Sequence, residues 1–162
     1  MYEGESLGLV GESGCGKTSL SKAILGMQEH MSGEVSCHVS RPQMIFQDPY
    51  SSLNPRQTVS DIIMEPLRLD GSFSKEEIKN RTRELMDIVG IEKRLRMSYP
   101  HELDGGRRQR VGIARALALK PKFIVCDEPR VCTGCFHPWL QILNLLMDLQ
   151  RDMGAYISVY HP

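Results

Sequence analysis

Gly11-Glu12-Ser13-Gly14-Cys15-Gly16-Lys17-Thr18 is the segment that most restricts what this chain can become. A glycine, four residues and then Gly-Lys-Thr is the pattern of a loop that wraps phosphate. Glycines let successive backbone N–H groups turn inward around phosphate oxygens, and a helix starting behind them adds its dipole. Lys17 supplies a point charge to the β- and γ-phosphates, and the Thr18 hydroxyl is a candidate magnesium ligand. On this reading Gly11, Glu12, Ser13, Gly14, Cys15, Gly16, Lys17 and Thr18 hold the phosphates. The surroundings agree. Ser6 to Val10 is a short, mostly apolar run, and Leu20, Ala23, Ile24 and Met27 recur at helical spacing between Ser19 and Met27. Strand, glycine loop and helix in that order predict an α/β nucleotide fold.

Phe123-Ile124-Val125-Cys126 is a continuous apolar run that ends in Asp127-Glu128, as a buried parallel strand should. A carboxylate at such a strand end can join the magnesium shell, and its neighbour can polarise an attacking water. Asp127 is therefore the candidate metal ligand and Glu128 the candidate catalytic base. Gln43 to Phe46 reads as another strand end, followed by a polar, proline-bearing stretch from Asp48 to Pro55. Ser74 with Glu77 predicts a capping box for a helix running to about Val89. Trp139 to Met153 is again helical in pattern.

Composition narrows the class further. The 162 residues are 41% hydrophobic, with 20 basic against 20 acidic side chains. Such a length suits one domain that buries roughly 70% of its unfolded surface. Zero net charge argues against a nucleic-acid partner held by a general basic field and against a polybasic membrane anchor. The acidic start Met1-Tyr2-Glu3-Gly4-Glu5 lacks signal-peptide features, and five cysteines, an odd number, suit reduced thiols. Composition leaves the expectation of a soluble cytosolic α/β or α+β domain, with no nucleic acid.

Leu103-Asp104-Gly105-Gly106-Arg107-Arg108-Gln109-Arg110 resembles the Leu-Ser-Gly-Gly-Gln signature of ABC ATPases, in its usual place between the phosphate loop and the acidic strand. Gln47 resembles the glutamine of that family's Q-loop. The run Gln47 to Pro55, with Tyr99-Pro100-His101-Glu102-Leu103, is similar to the ATP-binding subunits of oligopeptide and dipeptide importers. The resemblance covers almost the whole chain. It implies a P-loop parallel-sheet core with an inserted helical subdomain at about 58–102, together one nucleotide-binding domain over 1–162. It implies ATP and Mg2+ as cofactors, with Thr18, Gln47 and Asp127 at the metal. Gln47 and Glu128 would act in catalysis, and Asp104, Gly105 and Gly106 would meet nucleotide bound by another subunit. The implied partners are a second ATP-binding subunit, paired head to tail, and transmembrane permease subunits. The implied place is the cytoplasmic face of the cell membrane.

The sequence also departs from that pattern. Asp104 stands where the family has serine, and Arg107 where it has glutamine. A carboxylate aimed at a γ-phosphate sets like charges together. After Pro129 the family continues Val-Ser-Ala-Leu-Asp-Val-Ser-Ile, whereas this chain reads Arg130-Val131-Cys132-Thr133-Gly134-Cys135-Phe136-His137. Back-translated codons of Val131 to His137, read one nucleotide later, permit Ser-Ala-Leu-Asp-Val-Ser-Ile. Gly154 to Tyr160, read likewise, permits Gly-Leu-Thr-Tyr-Leu-Phe-Ile, which resembles the strand before the family's switch histidine. The expectation is a frameshifted pair of segments in a chain truncated at both ends, with His161 a coincidence. Cys132-x-x-Cys135 with His137 then reads as a by-product of the shift and not a zinc site. Two alternatives stay open beside an active transport ATPase: a catalytically impaired nucleotide-binding module or fragment, and a non-transport ABC ATPase.

Overall fold

The computed structural model describes residues 6–12, 14–29, 32–35, 39, 41–46, 52–127 and 156–161, the strand residues 6 and 156–161 by backbone alone. The described strands are β1 (Ser6–Val10), β2 (Gln43–Ile45), β3 (Phe123–Cys126) and β4 (Tyr156–His161). They form one sheet in the order β1-β4-β3-β2, every neighbouring pair parallel. Ser6 is level with Ile157, Val10 with His161, Phe123 with Tyr156, and Ile45 with Cys126. The chain is an α/β fold of the P-loop type. The segment that the shifted reading likens to a strand is a strand as it stands. It runs between the strand that leads into the phosphate loop and the strand that leads to Asp127.

All four residues of β3 are buried, and their alternation divides the molecule into two layers. Phe123 and Val125 pack with Leu9, Ile24, Leu25 and Val39. Ile124 and Cys126 face the larger core. That core is built by α2 (Val59–Asp70), α3 (Lys75–Ile88) and α4 (Gly105–Leu117). Ile62, Ile63, Leu67, Leu85, Val111, Ile113 and Leu117 are fully buried there. Each such side chain stabilises the fold by about 1.5–3 kcal/mol relative to exposure.

Helix ends follow local chemistry. Thr58 caps α2 by accepting from the Asp61 N–H at 3.2 Å. The capping box of α3 is complete: Ser74 Oγ accepts from Glu77 N–H at 3.3 Å, and Glu77 Oε2 accepts from Ser74 N–H at 2.7 Å. Among the described residues, no helix is long and apolar enough to cross a membrane.

The helix after the phosphate loop corrects the periodicity reading. α1 spans Lys17–Ile24 and stops three residues short of Met27. Gly26 adopts φ 69, its N–H donates to the Ala23 carbonyl at 3.0 Å, and the Met27 N–H donates to the Lys22 carbonyl at 2.7 Å. These paired bonds are a Schellman stop, which a glycine in the left-handed region makes easily. Leu20 and Met27, expected on the buried stripe, are 47% and 59% exposed. The helix expected over Trp139 to Met153 lies outside the described residues.

Candidate nucleotide site

The carboxyl ends of β1 and β3 point the same way, so the segments leaving them meet at one edge of the sheet. From β1 the chain enters the glycine loop. The Cys15 N–H donates to the Glu12 carbonyl at 3.2 Å, closing a turn. Gly16 then caps α1 with φ 96 and ψ 11, a conformation that side chains rarely tolerate. Among the described residues no side-chain cap hydrogen bond is made there, and the first turn of α1 carries no acidic residue. This helix start is built to receive an anion.

Lys17 is only 6% exposed. A buried ammonium needs partners, and its Nζ donates to the carbonyls of Gly11 at 2.6 Å and Glu12 at 2.9 Å. The cation is thereby held inside the loop. Ser21 braces its backbone, donating from Oγ to the Lys17 carbonyl at 2.9 Å.

Across the sheet edge, Asp127 follows β3 and is 4% exposed. Its N–H donates to the Ile45 carbonyl at 3.0 Å, which ties it to the end of β2. Its Oδ1 accepts from the Thr18 hydroxyl at 2.9 Å. The hydroxyl and the carboxylate, both hard oxygen donors, thus adjoin at the mouth of the loop. Magnesium characteristically takes one or two protein oxygens and completes its shell with water and phosphate. The donor set fits it. Among the described residues, no group of three or more His, Cys, Asp or Glu forms a metal cage.

Ser13, Gln47 and Glu128 lie outside the described residues, as do Cys132, Cys135 and His137. Cys126 is fully buried, and burial pushes its thiol up to about 12, which leaves it inert packing. The backbone of His161 is level with Val10, the last residue of β1.

Asp104, Gly105 and Gly106 form the start of α4. Among the described residues, no hydrogen bond or ion pair joins them to residues 11–18. Asp104 is the N-cap: its Oδ1 accepts from the Arg107 N–H at 2.8 Å. The Arg107 guanidinium lies 3.4 Å from Asp104 Oδ2 and 3.1 Å from Glu92 Oε1. Glu92 also accepts from Arg94 at 2.6 Å. Arg94 first, and Arg107 after it, hold the Glu92 carboxyl below its ordinary value.

Two of these residues escape a reading of the sequence. Glu92 has no motif of its own, only its place just past Gly90, where α3 has ended. Arg115 carried a signal, a lone cation in the apolar run Ile113-Ala114-Arg115-Ala116-Leu117. Its Nη1 donates to the Ser52 carbonyl at 2.6 Å, pinning the stretch that follows residue 51 to α4. Burial lowers its pKa, partly offset by the charge of Glu65.

A family described as ABC transporter matches residues 1–131, ending where the departure at Val131 begins. The chain is 46% identical to the oligopeptide transport ATP-binding protein OppF of Escherichia coli strain K12, over 99% of this chain and 53% of that protein. The same-named protein of Bacillus subtilis strain 168 is 44% identical over 99% of this chain and 58% of its own length. The glutathione import ATP-binding protein GsiA of Escherichia coli O6:H1 is 44% identical over 99% of this chain and 28% of its own. The chain thus spans about half the length of the OppF relatives it matches. The K12 match runs over 178 positions against a chain of 162, so at least 16 positions of that relative have no counterpart here. Among solved structures, cbiO1 from Clostridium perfringens, titled as part of the ABC transporter complex cbiONQ, superposes with a TM-score of 0.80. It covers 99% of this chain and 68% of its own at 24% identity, which speaks for the fold.

Proposed function

The chain belongs to the ABC transporter family, and from that premise we propose that it is the ATP-binding, ATP-hydrolysing part of a peptide-class importer. One observation carries the reading: Thr18 and Asp127 meet at 2.9 Å beside a loop that holds the Lys17 ammonium within it. In the working state Lys17 exchanges its two loop carbonyls for β- and γ-phosphate oxygens. The amides of the loop and of the α1 start take the remaining phosphate charge. Thr18 and Asp127 hold Mg2+, which supplies charge neutralisation along the triphosphate when bound. Gln47 orients the attacking water and contributes to the metal shell, and Glu128 accepts its proton. Ser13, with Gly11, Glu12, Gly14, Cys15 and Gly16, completes the phosphate cradle.

The same reading has this domain pair head to tail with a second ATP-binding subunit. Asp104, Gly105 and Gly106 then face nucleotide bound by the other subunit. The helical region at about 58–102, which contains α2 and α3, docks on permease subunits at the cytoplasmic face of the membrane. Similarity to OppF and GsiA supports the peptide class of solute.

Lys17→Ala tests the core of the proposal. It removes the loop's only full positive charge, and nucleotide affinity should fall on the order of 100-fold, read by fluorescent ATP-analogue titration with magnesium. Equal affinity in parent and variant would refute the assignment. A second reading, nucleotide binding without turnover, is favoured by the acidic cap at Asp104. ATP binding with no phosphate release would select it.

A further inference from the structure

Resting on the head-to-tail reading, we propose that Glu92, Arg107 and Asp104 seal the start of α4 against phosphate. The chain then contributes one competent half-site, its own phosphate loop, and pairs productively with a subunit whose corresponding helix has a neutral cap.

An uncapped N-terminus carries about half a positive elementary charge on its unpaired amides. At α4 one of those amides, Arg107 N–H, already donates to Asp104 Oδ1 at 2.8 Å. The full negative charge of Asp104 outweighs the helix's partial one. Arg107 does not restore an attraction for phosphate, because its guanidinium is engaged from both sides, 3.4 Å from Asp104 Oδ2 and 3.1 Å from Glu92 Oε1. Glu92 is in turn bridged by Arg94. These two acids and two bases cancel among themselves, so the Arg107 cation is not available to draw in a triphosphate.

Capping does not account for the carboxylate. Serine caps a helix as well as aspartate does, so the cap needs an oxygen and not a charge. Nor does surface pairing account for it, because exposed ion pairs add little in water. The three side chains are 62% (Asp104), 41% (Arg107) and 47% (Glu92) exposed. Their charges matter once a partner's nucleotide closes over them and excludes water, where a carboxylate facing phosphate is least screened. A pair of identical chains would place two sealed helix starts against two nucleotides. A partner with a neutral cap would leave this chain's own phosphate loop fully served.

The test compares the full chain with its Asp104→Ser/Arg107→Gln form. The double variant retains a good cap and should melt close to the parent. At concentrations low enough to keep both forms monomeric, each should bind a fluorescent ATP analogue through its own phosphate loop with the same affinity, because that loop is untouched. With magnesium and saturating non-hydrolysable ATP analogue, sedimentation velocity should show the double variant self-associating at least about tenfold more tightly, because the helix-start amides then face the partner's phosphate with no carboxylate between them. Equal self-association of the two forms, at any level, overturns the seal. If neither form binds the analogue, it is the phosphate-loop reading that fails, and the seal is read separately with inorganic tripolyphosphate. The backbone amide resonances of residues 105–107 should then shift on millimolar titration in the double variant and stay in place in the parent. Equal shifts in both forms would overturn the proposal.

Discussion

At the start of α1 the N-cap is Gly16, with no side-chain cap bond among the described residues and no acid in the first turn. At the start of α4 the N-cap is Asp104, bonded to the Arg107 amide and ion-paired to its guanidinium. Glycine stands at both starts, as the cap of α1 and as the first residues of α4, and both helices carry basic residues, so composition hardly separates them. What separates them is where the positive charge is directed. Among the described residues, Lys17 donates to neutral groups of its own loop, chiefly the Gly11 and Glu12 carbonyls, which a phosphate can replace. Arg107 sits between two carboxylates, and an incoming phosphate would have to compete with both. A cation near a helix start attracts an anion only when its existing partners are cheaper to leave than the anion is to gain.

Transplanting the difference should break the contrast most severely. Gly16→Asp puts a carboxylate at the α1 start and strains a position at φ 96. Nucleotide affinity should fall on the order of 100-fold, since like charge and lost loop geometry act together. A titration showing parental affinity would mean that the α1 start does not receive the phosphates. Asp127→Asn is milder: it keeps an acceptor for the Thr18 hydroxyl but removes the charge facing the metal. Affinity should drop about tenfold with magnesium and hardly at all with EDTA. A loss of the same size in both buffers would assign Asp127 a structural role instead.

The α4 side gives smaller effects. Asp104→Ala should cost about 1 kcal/mol of stability through the lost cap, while Asp104→Ser should stay within a few tenths. Urea unfolding distinguishes them, and equal losses would show that the carboxylate itself stabilises the helix. The smallest effect is a titration. Glu92 is held below its ordinary value of 4.5, by Arg94 more than by Arg107. Arg107→Gln should raise its pKa slightly, and Arg94→Gln more, as read by carboxyl NMR. A depressed carboxyl contributes stability above its unfolded value, and that contribution is lost as pH falls through the folded value. The loop after α3 should therefore loosen below about pH 4.5. Arg107→Gln leaving the Glu92 titration unmoved would remove Arg107 from the cluster.

Several features were legible from residues alone because their causes are local. The strand Ser6–Val10, the buried strand Phe123–Cys126 and the Ser74–Glu77 box each depend on patterns spanning a few residues. The end of α1 was legible too, in Gly26, but the apolar repeat through Met27 masked it. A stop signal outweighs periodicity here because two backbone bonds form at the glycine. The exposed Met27 side chain offers no burial to oppose them.

By itself, then, the sequence determined which chemistry is present: a glycine loop with its lysine, an acidic strand end, and a helix start altered at Asp104 and Arg107. Only the tertiary structure decided which groups meet. Thr18 and Asp127 are 109 positions apart and adjoin because the parallel order β1-β4-β3-β2 brings both strand ends to one edge. Glu92 and Arg107 are 15 apart and adjoin because α3 stops at a glycine, turning the chain back toward the α4 start. Periodicity and capping act within one or two helical turns. Contacts across a sheet or between helices depend instead on which surfaces the whole core brings together.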